Sequence, residues 1–129
     1  MNDYLEKFEK MRIAGKLAAQ TLDMLTDNIK EGVSTSYIDK LGYEFIRDNG
    51  GYSAPLYYRG FKKSLCTSLN HVVCHGIPSD RVLNEGDAVN IDVTAIVNEY
   101  YGDTSRMFTI VDMPVQAKNL IETTYESMM

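Results

Sequence analysis

Two aspartates, Asp92 and Asp103, stand with ten residues between them, and a turn falls midway. Val89, Ile91, Val93, Ala95 and Val97 alternate with Ala88, Asn90, Asp92, Thr94 and Ile96. That period belongs to a strand with one apolar and one largely polar face. With Asn98-Glu99 as a tight turn, residues 100–111 return as the antiparallel partner. The register then sets Asp92 opposite Ser105 and Thr94 opposite Asp103. Side chains two apart share a face, so all four project from one side of the ribbon. The aspartates become diagonal neighbours, their backbones roughly 7–8 Å apart, and a slip of one residue would put them on opposite faces. Facing carboxylates repel unless a divalent cation, a basic residue or solvent stands between them. Oxygen donors suit Mg, Mn, Fe(II), Co or Zn, and hydrolases that use paired ions hold them about 3.5–4 Å apart. Spacing alone also fits two solvent-facing acids, and two carboxylates are fewer than a two-ion site uses.

The second signal is His71-Val-Val-Cys-His-Gly-Ile-Pro78, which carries both histidines of the chain and one of its two cysteines. On a helix, His71 and His75 would face the same way. Val72-Val73 and Gly76-Ile77-Pro78 disfavour a helix, which argues against a zincin-type pair. Cys74 and His75 are adjacent, so on extended chain they point apart and make a poor nucleophile–base pair. An ordinary imidazole satisfied by backbone stays open as a reading for each histidine.

The elements that must position these groups can be read in order. Residues 3–26 have helical periodicity in Tyr4, Phe8, Met11, Leu22, Leu25 and Ile29, with Ala14, Leu17 and Ala18 beside them and Asn2 or Asp3 as cap. Residues 26–32 form a loop. A second helix is predicted over 35–48, capped by Ser34 or Ser36, striped by Ile38, Leu41, Phe45 and Ile46, and stopped by Asn49-Gly50-Gly51. Residues 52–63 read as an aromatic loop around Pro55 and Gly60, and 64–69 as a short strand. Asp112 and Pro114 read as cap and first turn of a last helix. That helix reaches Met129 without a stop signal, so the polypeptide is expected to be incomplete.

Composition narrows the classes. At 129 residues and 44% hydrophobic, the chain suits one domain, 1–129, with a packed core. A net charge of −5 argues against a nucleic-acid binder. No run approaches the roughly 20 apolar residues of a membrane span. Two cysteines and a charged N-terminus lacking a signal-peptide core point to a reduced, cytoplasmic protein.

Taken together, the motifs resemble type I methionine aminopeptidase. They are Ser68-Leu-Asn-His-Val-Val-Cys-His-Gly-Ile-Pro78, Leu83-Asn-Glu-Gly-Asp-Ala-Val-Asn-Ile-Asp-Val-Thr94 and Tyr101-Gly-Asp-Thr-Ser-Arg-Met-Phe108. The resemblance runs from about Lys10 onward, through Gly32-Val-Ser-Thr35 and Gly60-Phe-Lys-Lys-Ser-Leu-Cys66. It implies the pita-bread fold, of which this α+β chain is the N-terminal half, an antiparallel curved sheet with helices on one face. It further implies that Asp92 and Asp103 are metal ligands, Asp103 bridging two divalent ions (Co, Mn, Fe or Zn). His75 is the implied catalytic and substrate-contacting residue. Tyr58, Phe61 and Cys66 line the implied pocket for a methionine side chain, with Phe61 where the family more often has tyrosine.

The implied activity is removal of the initiator methionine from nascent chains. A metal-bridged water attacks, and a glutamate from the second half of the enzyme takes the proton. The family's remaining ligands, one histidine and two glutamates, have no counterpart after Asp103, so this chain alone is expected to be inactive. Expected partners are the N-terminal methionine of nascent peptides, the ribosome, and a missing C-terminal half or a second copy, with no membrane and no direct nucleic acid. Two other readings are a non-catalytic pita-bread peptide-binding module and half of a proline-specific aminopeptidase.

Overall fold

The computed structural model describes residues 2–129, with side chains from Asp3 onward. The first helix, α1, runs Asn2–Thr26. Its stripe is the one expected, but the sheet covers only the second half of it. Ala14, Leu17, Ala18, Leu22 and Leu25 are buried, whereas Tyr4, Phe8 and Met11 remain exposed. A cap by Asn2 lies outside the described side chains. Asp3 sits within the helix, where its carboxylate accepts from Lys7 Nζ at 2.7 Å.

Helix α2, Thr35–Asp48, starts at Ser34, whose extended backbone and side-chain oxygen, accepting from the Tyr37 N–H, make it the N-cap. It ends at Asn49 with Gly50 at φ +80°. The following aromatic segment is more regular than a loop. Tyr52–Ser53 forms a short strand, β1, and Ala54–Tyr57 a single 3₁₀ turn opened by Pro55. Strand β2 spans Cys66–Leu69, β3 Ala88–Val97 and β4 Tyr100–Thr109. Helix α3, Val115–Met128, begins after Pro114 rather than under an Asp112 cap, and none of its residues is buried.

The hairpin register is the one the alternation demands, with Asp92 opposite Ser105 and Thr94 opposite Asp103. Asn98 and Glu99 take φ of +48° and +70°, the left-handed pair of a type I′ turn that follows the twist of the strands. Strand β3 is central. Strand β4 covers one of its edges along its whole length, while β2 (at 89–92) and β1 (at 95–96) share the other edge end to end. The chain between β1 and β2 therefore leaves and rejoins the sheet on either side of Val93 and Thr94.

The inward face of β3 (Val89, Ile91, Val93, Ala95) is fully buried against α1, with Ile38, Ile46, Leu65 and Leu83 completing the core. Each of the valine, leucine and isoleucine side chains contributes roughly 1.5–3 kcal/mol. Gly102 lets α1 rest directly on β4, since a Cβ there would stand 2.2 Å from the Ala14 carbonyl. This inward Gly102 turns its neighbour Asp103 outward. Helices thus cover one face, and the opposite face carries Asp92, Thr94 and Asp103.

Candidate active site

Asp92, Asp103, His75, Cys66, Tyr58 and Phe61 all line one open cleft of about 690 Å³. Its floor is the outward face of the sheet. Cys66 lies directly opposite Asp92 on β2, so their side chains share that face. Asp103 is diagonal to Asp92 and accepts a hydrogen bond from Thr94 Oγ1 at 3.0 Å. The segment between β1 and β2 arches over the floor and brings Tyr58 and Phe61 to it.

His75 reaches the cleft from an irregular segment, as the valines and Gly-Ile-Pro predict. Two bonds staple its neighbour to β2: Gly76 N–H donates to Ser68 Oγ at 3.1 Å, and Thr67 N–H donates to the Gly76 carbonyl at 2.8 Å. A Cβ on Gly76 would meet the Thr67 carbonyl oxygen at 2.2 Å, so only glycine permits this approach. His75 itself takes φ +55°, a left-handed conformation that such closely fixed neighbours impose. The loop behind it is closed by Asp87, which accepts from Asn70 Nδ2 at 3.0 Å and from the Asn84 N–H at 2.8 Å and pairs with Arg81. Burial alone would raise the Asp87 carboxyl, but these bonds outweigh it and hold it below the ordinary range. His71 is exposed and does not line the cleft.

The electrostatics follow from the like charges. Partial burial, then the charge of Asp103 and a hydrogen bond shared with it, push the Asp92 carboxyl up to about 6, with His75 acting the other way. Burial first, and Asp92 next, push the Cys66 thiol up to about 11. Neither aspartate is in an ion pair with a basic residue among the described residues. A proton near neutral pH thus relieves the repulsion that a cation would relieve. Facing carboxylate oxygens that lack a positive partner are the donor chemistry a hard divalent ion takes, so these residues fit one. Among the described residues no group of three or more His, Cys, Asp or Glu comes together as a metal site.

Residues that sequence reasoning passed over also line the cleft: Tyr57, Arg59, Lys62, Ile77 and Tyr101. Tyr101 carried a usable signal, since it lies two residues before Asp103 and so shares its face. The others arrive through loops.

The site is thus an antiparallel sheet with helices α1 and α2 packed behind it and two carboxylates on its open face. The chain belongs to metallopeptidase family M24, whose model matches residues 9–129. Methionine aminopeptidase from Rickettsia prowazekii is 55% identical over 122 residues, covering 95% of this chain and 47% of the relative. The Escherichia coli K12 methionine aminopeptidase is 46% identical over 125 residues, with 95% and 47% covered. The crystal structure of the Rickettsia enzyme superposes with a TM-score of 0.93 at 54% identity, covering 96% of this chain and 50% of that one. The Thermotoga maritima enzyme gives 0.88 at 32% identity, covering 92% and 48%. The prolidase of Pyrococcus furiosus, at 0.79 and 21% identity over 94% of this chain and 34% of its own, shares the fold. The chain spans about half the length of the curated relatives it matches, and its architecture is half of the pita-bread fold these proteins share.

Proposed function

We propose that this chain supplies one half of the active site of a methionine aminopeptidase, an enzyme that removes the initiator methionine from nascent chains in the cytoplasm. The observation that carries the reading is the convergence of Asp92, Asp103, His75, Cys66, Tyr58 and Phe61 on one cleft. The names of the relatives support methionine as the residue removed.

Asp92 and Asp103 would hold the divalent ions, with Thr94 orienting the Asp103 carboxylate through its bond to Oδ1. Co, Mn, Fe and Zn are all compatible with such a set. Bound divalent ions supply Lewis-acid polarisation of the scissile carbonyl and a nucleophile at neutral pH. The remaining donors come from outside these residues. His75 hydrogen-bonds the substrate where charge develops in the transition state, a service of about 2.7–4 kcal/mol for comparable oxyanion donors. Tyr58 and Phe61 offer aromatic contacts that suit a thioether. Cys66, held neutral by its raised pKa, adds a small, unreactive wall to the methionine pocket.

The test is calorimetry with Mn²⁺ and Co²⁺, together with release of methionine from a Met-Ala peptide. The chain alone is expected to bind divalent ions weakly and to release no methionine. Asp103→Asn should abolish the binding. Once a second polypeptide supplies histidine and glutamate donors, Asp103→Asn should cost more activity than His75→Ala, whose loss is about 10²–10³-fold by analogy with oxyanion donors. Equal metal content in wild type and Asp103→Asn would overturn the ligand assignment.

A further inference from the structure

The cleft has a second charged feature that the proposed chemistry leaves unused. Arg59 and Lys62 line it together with the two aspartates, in a chain whose net charge is −5. Among the described residues neither is in an ion pair. Arg59 lies over the Tyr58 ring, 5.3 Å from its centroid, so the guanidinium is seated above a residue that faces the site.

The backbone beneath it is built for presentation. Tyr58 and Phe61 close a turn in which the Phe61 N–H donates to the Tyr58 carbonyl at 2.9 Å. The two central residues, Arg59 and Gly60, take φ of +45° and +75°. Both signs are positive, as in a type I′ turn, and the first central position normally goes to asparagine, aspartate or glycine. A long cationic residue held there is a strained choice, and strain of this kind gathers where a side chain must be aimed. Lys62 follows one residue after the turn.

We infer that Arg59 and Lys62 form a cationic rim that favours peptides carrying a carboxylate shortly after their first residue. This rests on the reading of the cleft as an aminopeptidase site. The amino-terminal residue goes to the end lined by Asp92, Asp103 and the aromatic pocket. The peptide then leaves past the rim, where a carboxylate meets two cations that have no carboxylate partner among the described residues. Either an acidic side chain or the free terminus of a short peptide supplies that group.

The inference is tested by chemical-shift titration of the ¹⁵N-labelled chain, in fixed zinc, with four tripeptides: Met-Ala-Gly amide, Met-Ala-Gly free acid, Met-Ala-Asp amide and Met-Ala-Lys amide. At low salt, a carboxylate peptide should bind about three- to fivefold more tightly than the Gly amide, as expected of exposed charge pairs, and the Lys amide more weakly still. Preference for the Asp amide identifies side-chain recognition, and preference for the free acid alone identifies the terminus. Either result supports the rim. The preference should shrink at high salt. It should also shrink in Arg59→Gly/Lys62→Ala, where glycine accepts the left-handed backbone and so preserves the turn. Arg59→Lys should retain it. Equal binding of all four peptides overturns the rim and leaves the proposed function standing. Binding of none overturns the rim, while the proposed function stands or falls separately on the loss of metal binding in Asp103→Asn.

Discussion

At the scale of single residues, the chemistry of this cleft turns on groups whose ordinary behaviour the fold has altered. Cys66 shows this most simply. It sits on the floor beside Asp92, 7% exposed, its thiol raised to about 11 by burial and by that carboxylate. Thiolate is the reactive form, so at pH 8 almost none of Cys66 can attack an electrophile. Cys74, in contrast, is exposed. Iodoacetamide at pH 8 is therefore expected to modify one thiol of the native chain quickly, and peptide mapping should place it at Cys74. In denaturant both should react. Fast labelling of Cys66 in the folded chain would contradict the burial and charge ascribed to it. The same physics acts on the two aspartates: they face each other, and among the described residues neither is in an ion pair with a basic side chain.

Elements matter here as positioning devices. Asp39 on α2 is an example far from any chemistry. Its Oδ1 accepts from the backbone N–H groups of both Ser64 and Leu65, each at 2.8 Å. These bonds tie α2 to the chain entering β2, and so fix Cys66. Burial pushes the Asp39 carboxyl up, even though both bonds and nearby Lys63 favour the anion. A raised native pKa means that the group's contribution to stability is complete below the unfolded value. It is then lost as pH rises through the native value. Asp39→Asn keeps an oxygen for both N–H groups and removes the buried charge. Its melting temperature relative to wild type should therefore improve between pH 3.5 and 7. Asp39→Ala strands two buried N–H groups and should cost about 2–4 kcal/mol at either pH. Melts in which Asn and Ala variants behave alike would refute this role. The contacts of Gly76 with β2 and of Gly102 with α1 act in the same way, each setting the direction of the functional residue beside it.

At the scale of the whole molecule, two helices leave apolar side chains uncovered among the described residues. The first turns of α1 expose Tyr4, Phe8 and Met11, and α3 exposes Leu120, Tyr125 and Met128. Contiguous apolar patches beyond a few hundred Å² are uncommon on soluble monomers and tend to be covered. No helix among the described residues is long and apolar enough to cross a membrane. The isolated chain is expected to self-associate at high micromolar concentration and to bind a hydrophobic dye, read by light scattering and fluorescence. A cooperatively folded monomer that ignores the dye would show that these side chains pack more closely in solution than their exposure implies.

The parts governed by local period and turn chemistry are legible in the residues alone. Strand alternation from Ala88 to Val97 and a two-residue turn at Asn98-Glu99 are enough to pair Thr94 with Asp103, because the side-chain period of a strand is two and any slip would bury the aspartates. Both long helices, the Ser34 cap and the non-helical path around His75 were legible for the same reason, since each depends on residues a few positions apart. Five of the six site residues lie within long, consecutive motifs, while Tyr58 precedes them in the aromatic segment.

What depends on distant parts of the chain is set by the fold as a whole. Tyr52–Ser53 becomes a strand because Ile96 and Ala95, more than forty residues later, offer it a free edge. Two residues hold no periodicity that could have announced this. That pairing, with Cys66 opposite Asp92, makes the intervening segment arch over the carboxylates. It brings Tyr58, Phe61, Arg59 and Lys62 to one cleft while leaving His71 outside. The stripe of α1 was visible in the sequence, but the reach of the sheet beneath it was not. Burial is settled by what lies opposite, and a chain read in one dimension does not contain its own neighbours.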